Sequence, residues 1–308
     1  MNTNKKELVN GIISVSISAI LFGFLPILCK QVLNNGLDAQ SLVLIRYGMA
    51  CVMLGIVMLC SKISFKITKK QVVSFIIFGI IGGSVTSTLL SASYTYMYAG
   101  IATMFHSSYP IFVSLIMAVF FREKLSWKAA LAVALAVGGM ALMADRHGSY
   151  SLIGILLTVT SGVTLAIYIV STKKSSYGTL HPIKIVFYIC AVSTVTSLCV
   201  KLAVSGSVAL PSAPADWVRM ALIALLCTVV AHSLLAYGVQ KLGATTGSVI
   251  NMLDPFVSLV AGAFMIGEVP SAMAVAGCVL VFAAIFMIVI SGGKRTDEVR
   301  NDDSEVLN

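Results

Sequence analysis

Ten apolar runs, each about 20 residues long, follow one another through the 308-residue chain with only short polar stretches between them. They cover roughly 11–33, 39–61, 71–95, 99–121, 127–144, 151–172, 182–204, 217–239, 245–266 and 272–291. A bilayer core about 30 Å thick is crossed by a helix of about 20 residues, and in lipid every backbone polar group needs an internal partner. Charged residues make up only 11% of the chain, against about a quarter in soluble domains, and 58% is hydrophobic. The pattern predicts an all-α polytopic membrane protein with ten transmembrane helices and no sizeable soluble domain.

The basic residues predict how it threads. The amino terminus, residues 62–70, 122–128 and 173–184, Lys241 and the carboxyl terminus carry sixteen of the 21 Lys and Arg. The alternate loops carry Lys30, Arg146, Lys201 and Arg219, and Arg46 lies within a segment. The positive-inside rule then places both termini in the cytoplasm of a multi-pass cell-membrane protein. The net charge of +9 is dispersed over loops instead of forming one stripe, which argues against a nucleic-acid partner.

The chain is also duplicated. From Pro110 it is thirteen residues to Glu123 and sixteen to Ser126, and the same distances separate Pro255 from Glu268 and Ser271. This pair is offset by 145 residues (255 − 110). Elsewhere the offset is 143, as for Gly11 with Gly154, Ser18 with Ser161, Lys30 with Lys173, Tyr94 with Tyr237 and Gly100 with Gly243. A two-residue insertion near Thr245 accounts for the change. Ten spans in two copies give five per copy, and an odd number makes the second copy enter from the opposite side. The expected organisation is a cytoplasmic tail (1–10), two inverted five-helix repeats (11–144 and 151–291) and a disordered, polar cytoplasmic tail (292–308).

The first run contains Pro26 and lacks a small-residue cleavage site, so it reads as a retained span instead of a signal peptide. All seven cysteines lie within apolar runs without CxxC spacing, which points to packing and away from disulfides or a metal site.

Several polar residues stand out within the spans. Asp254 is the only acid well inside any of the ten, and an acid at mid-helix costs roughly 2.5–3.5 kcal/mol on insertion scales. It should therefore face water, a substrate or a partner such as Arg46 or His232. Asn251 precedes Asp254 by three residues, as His106 precedes Tyr109, so two repeat-related polar faces should meet near the pseudo-axis. Pro110 and Pro255 follow each pair; they should kink the helices and free a carbonyl for substrate or water. Ser84, Ser87, Ser91, Tyr94 and Tyr98 recur at helical spacing, as do Ser161, Thr164 and Tyr168. Such stripes suit a wet cavity wall or close helix packing. Gly79 and Gly83, at GxxxG spacing, read as packing. His232 and Tyr237 share the eighth run, and Arg46 is a permanent cation in the second. Glu123 and Glu268 suit the positive ends of the helices that follow them.

Over about 11–291 the chain resembles the EamA-type family of the drug/metabolite transporter superfamily. The features that carry the likeness are the five-plus-five order, Leu42-Val43-Leu44-Ile45-Arg46-Tyr47, Tyr109-Pro110, Asp254-Pro255 and the endings at Glu123 and Glu268. The resemblance implies a carrier of small polar metabolites, often an exporter of amino acids. It also implies a central cavity lined by segments 1, 3, 4, 6, 8 and 9, with an arginine at position 46.

Three classes of function fit a chain of this kind. A secondary transporter leads, because the chain has no GxxxxGK phosphate loop and inverted repeats suit alternating access. An intramembrane lipid-acting enzyme would need a metal motif or a carboxylate pair within the spans, and a channel would need a ring of like charges. Substrates that suit one acid, two histidines, one arginine and hydroxyls are amino acids or their derivatives, with amines, organic cations and nucleosides as alternatives. No cofactor is expected. The partners expected are a small-molecule substrate and membrane lipid, and the apolar last run leaves a homodimer open.

Overall fold

The computed structural model describes residues 3–96, 99–122, 127–143 and 151–266, with helical residues interspersed between 272 and 287. Among these residues every regular element is helical. In chain order they are α1 (Thr3–Asn34), α2 (Ala39–Cys60), α3 (Lys69–Ser93), α4 (Ala99–His106), α5 (Tyr109–Phe121) and α6 (Trp127–Met143). The second half contributes α7 (Leu152–Lys174), α8 (Pro182–Ser205), α9 (Pro214–Leu242), α10 (Ala244–Asn251) and α11 (Leu253–Ile266). Six of them, α1, α2, α3, α7, α8 and α9, are each long and apolar enough to cross a bilayer alone. This is a polytopic, all-α membrane protein. The tenth predicted span lies largely outside the described residues, as do Tyr98, Glu123, Ser126, Arg146, Glu268 and Ser271.

Local chemistry sets several helix ends. Asp38 caps α2 by accepting from the Ser41 amide at 2.9 Å. Thr68 and Gln71 form a reciprocal capping box at the start of α3. Pro182 and Pro214 open α8 and α9, where a missing N–H costs nothing. Gly206, at φ 67°, ends α8 in the left-handed conformation that glycine tolerates.

The packing reflects the duplication. Helix α1 lies on α9, α10 and α11, and its counterpart α7 lies on α3, α4 and α5; α2 and its counterpart α8 pack against each other. Loop contacts show that the copies are inverted. On the face that holds Glu7 and Lys241, Lys184 Nζ donates to Lys66 O at 2.6 Å. On the opposite face, the amide of Ala209 donates to Ser41 Oγ at 3.1 Å. Both residues of one bond are offset by 143 from those of the other (184 − 41 and 209 − 66), yet the two bonds lie on opposite faces.

Each face is cross-bonded around these contacts. On the face with Glu7, the segment following α7 reaches the start of α3 through Ser74 Oγ with Ser176 Oγ at 2.8 Å. It is also tied to the end of α9, where Gln240 Nε2 donates to Gly178 O and Leu180 O. Tyr177 fills the gap, stacked on Phe75 at 4.4 Å; burial pushes its phenol up to about 12, so it stays a neutral hydrogen-bonding group. On the opposite face the bonds run to carboxylates. Asn35 Nδ2 donates to both Asp216 carboxylate oxygens at 2.9 and 3.0 Å, Arg219 Nη1 to Asp216 at 2.7 Å, and Lys201 Nζ to Asp38 at 2.9 Å.

Both long helices next to the site contain a π-helical stretch, Gly79–Val85 in α3 and Ile223–Val230 in α9. The wider turn shifts helix phase and frees carbonyls. In α3 those carbonyls are met by Ser193 Oγ, whose one proton is shared between Ile189 O at 2.7 Å and Gly79 O at 3.1 Å, and by the Tyr47 hydroxyl on Gly83 O at 3.4 Å. The approach needs glycine. A Cβ at Gly83 would stand 1.9 Å from Ser193 Oγ, and one at Gly82 would stand 2.3 Å from Tyr168 Cβ. The phase shift also splits the predicted hydroxyl stripe: Ser84 turns to Ser197 on α8 at 2.9 Å, while Ser87 meets Tyr47 at 2.7 Å.

Candidate functional site

The fourth and ninth predicted segments are interrupted where the sequence expects proline kinks. Helix α4 stops at His106 and α5 restarts at Tyr109, with Pro110 in its first turn; α10 stops at Asn251 and α11 restarts at Leu253, with Pro255 in its first turn. The prolines thus begin new helices, where their missing N–H is harmless. Each break puts its polar residues at helix ends. Asp254 sits in the first turn of α11, where the helix dipole favours an anion, and His106 in the last turn of α4, where it favours a cation. Close approach supports both breaks: a Cβ on Gly162 would meet His106 O at 2.9 Å, and one on Gly23 would meet Asp254 O at 3.0 Å.

Between the breaks lies a cavity with about 630 Å³ of empty space, its opening included. Asp254, Asn251 and His106 line it, with His232 from α9, Tyr94 and Ser87 from α3 and Arg46 from α2. Three of the sequence-predicted residues stand off the wall. Ser91 is buried behind it. Tyr237 turns away, with Lys241 Nζ 6.0 Å from its ring. The Tyr109 hydroxyl lies behind the wall, accepting from Asn251 Nδ2 at 2.9 Å and donating to Ser248 O at 3.1 Å. That bond joins the two repeats, since α5 belongs to one and α10 to the other.

Asp254 pairs with neither Arg46 nor His232. Its one hydrogen bond among the described residues is from Ser107 Oγ at 3.3 Å, and it is 7% exposed. Asn251 spends its amide on Tyr109, and its Oδ1 has no partner. Asp254 thus stands on the wall as an acid with a single donor, and the buried Asn251 Oδ1 beside it is an acceptor without a partner. His106 Nδ1 lies 2.7 Å from Ser161 Oγ, whose own proton goes to Thr158 O at 2.7 Å. This assigns the proton to Nδ1 and leaves Nε2 as an acceptor. The His232 ring is held likewise, Nδ1 at 3.0 Å from Cys227 O and edge-on to Phe22.

Sequence reasoning missed several lining groups. Phe22 and Pro26 reach the cavity because α1 passes between the breaks. Tyr47 follows Arg46 in the second run and shares the wall with it. Thr86 is tied to Thr164 at 2.6 Å, and behind the wall the fully buried Thr228 accepts from Arg46 Nε at 2.8 Å. The only sequence signal for Thr228 is a hydroxyl inside an apolar run, four residues ahead of His232. Among the described residues no group of three His, Cys, Asp or Glu is placed to hold a metal.

Comparison with known proteins fits this architecture. The chain is 27% identical over 257 residues to an uncharacterized transporter of Archaeoglobus fulgidus, covering 80% of this chain and 86% of the relative. It is 24% identical to the uncharacterized transporter YdfC of Bacillus subtilis, covering 70% and 71% respectively. A crystal structure at 12% identity superposes with a TM-score of 0.78 over 92% of this chain and 98% of its own, which shows a shared fold. The EamA-like transporter family matches twice in tandem, over residues 9–144 and 152–290, on either side of the repeat boundary. With both halves matched and a cavity between them, this chain belongs to the EamA-like transporter family.

Proposed function

We propose that the protein is a secondary transporter that moves small polar metabolites, amino acids or their derivatives foremost, out of the cell across the cytoplasmic membrane by alternating access. The observation that carries this reading is the cavity at the junction of two inverted repeats, with a lone acid on its wall and a cross-bonded closure at each face. The face with Glu7 and Lys241 carries most of the basic loops and is the cytoplasmic one, which puts both termini in the cytoplasm. Repeats 11–144 and 151–291 rock against each other, so that one closure releases while the other holds. Asp254 receives the ammonium end of the substrate or a proton that travels with it.

Asp254 also favours a second reading, export of amines or organic cations, because a carboxylate needs only a cationic partner. Extracellular metabolites from cells with and without overexpression separate the two. Accumulation of a zwitterionic amino acid supports the first reading, and accumulation confined to bulky hydrophobic cations supports the second. In proteoliposomes, Asp254→Asn should abolish most substrate-driven counterflow; unchanged flux removes Asp254 from the mechanism.

A further inference from the structure

Arg46 is the permanent cation on the cavity wall, and it is only 3% exposed. Its Nε donates to Thr228 Oγ1 at 2.8 Å, and its guanidinium carbon lies 4.9 Å from the centre of the Tyr47 ring. Among the described residues these are its interactions, and no carboxylate lies within ion-pair distance. Thr228 is itself locked, because its hydroxyl proton goes to Ile223 O at 3.2 Å inside the π-helical stretch of α9. The threonine oxygen is thus a fixed acceptor that holds one edge of the guanidinium, and Tyr47 covers one face. The two terminal nitrogens and their four N–H groups are left on the cavity side. A buried permanent cation with one neutral oxygen for company is poorly compensated in a low-dielectric interior, where charges are expected to be paired.

We propose that Arg46 is an anion receptor: the cavity's ligand carries a carboxylate that seats on the free fork of the guanidinium, and Thr228 is the residue that positions it. The complementary wall takes the other end of the ligand. Asp254 has a single hydroxyl donor and Asn251 Oδ1 has none, so that wall calls for a cation or hydrogen-bond donors. An acid and a guanidinium that share a cavity without touching match a ligand bearing both signs. The inference rests on the transporter reading and narrows it, because amines and nucleosides lack the group that Arg46 requires. An arginine fork matches a planar carboxylate in two parallel bonds, which a lysine cannot reproduce.

The test is direct binding to the purified full-length protein, read as ligand-induced thermal stabilisation. The probes are the common L-amino acids, their methyl esters, the matched amines and simple carboxylic acids. The acids should bind at least about tenfold more tightly than their esters. Arg46→Met should bring that ratio close to one, mainly by weakening the acids. Thr228→Val, which keeps the charge but frees the guanidinium, should lower the ratio severalfold, and Arg46→Lys should restore only part of it. Thr228→Val keeps the test alive if Arg46→Met does not fold. Esters or amines that bind as tightly as the acids overturn the proposal, as does a failure of every anionic probe to bind. Counterflow of the same compounds is scored separately: a carrier that moves amines and esters as fast as acids keeps the transporter reading and sinks this one.

Discussion

Asn35→Ala is the sharpest probe of the closure on the face that holds Asp216. Asn35 is exposed, so its truncation opens no cavity, yet its amide bridges both oxygens of Asp216, which is 1% exposed. A hydrogen bond to a charged acceptor contributes about 1.5–3 kcal/mol, and the exposed donor argues for the lower end. Asp216 keeps its bond from Arg219 at 2.7 Å, so no buried charge is stranded. If the bond exists only while that face is closed, its loss raises the opening equilibrium about tenfold, since about 1.4 kcal/mol is a factor of ten. The assay is the rate at which a membrane-impermeant maleimide modifies a cysteine placed at Leu90, a cavity residue without a polar role, with Cys60 and Cys199 replaced by serine. Reagent outside the cell should react about ten times faster in Asn35→Ala. Ser176→Ala, which removes a neutral bond on the other face, should instead speed labelling from inside by about fivefold. A change of less than twofold, or equal gains from both sides, refutes the idea that these bonds hold alternate closures.

Four further outcomes are expected. Gly83→Ala should lower thermal stability by about 1–3 kcal/mol through overpacking, and most of that should return in a Ser193→Ala background, where the nearest remaining atom lies at 3.2 Å. Tyr109→Phe leaves the buried Asn251 amide without its acceptor and should destabilise the protein by about 1–3 kcal/mol, measured by thermal unfolding in detergent. A disulfide between cysteines at positions 74 and 176 should arrest counterflow and be reversed by reductant; flux that continues through the cross-link contradicts the closure. For Asp38, burial raises the carboxyl pKa, but bonds from Lys201 and Ser41 outweigh it and hold the group below its ordinary value. Its stabilising contribution is therefore complete above about pH 4 and disappears as pH falls through the lower folded value. Acid titration of stability should show that limb in the wild type and lack it in Asp38→Asn.

What the sequence determined by itself is set by local physics: spans follow from apolar length against bilayer thickness, and inversion from an odd span count. These required no knowledge of which helices touch, and they placed His106, Asn251 and Asp254 on facing elements. The structure alone decided which side chains reach the cavity. A π-helical turn adds a residue to the helical phase, so Ser84 turned to α8 and Ser87 to Tyr47, although their spacing read as one stripe. Tyr237 matched Tyr94 by offset but turned away from the cavity, toward Lys241. The breaks at 107–108 and 252 placed Asp254 at a helix amino end, where the sequence had put mid-helix. Arg46 met Thr228, 182 positions away, instead of the acid the sequence offered it. Helix phase and partner choice depend on the packed whole, and no window of sequence contains them.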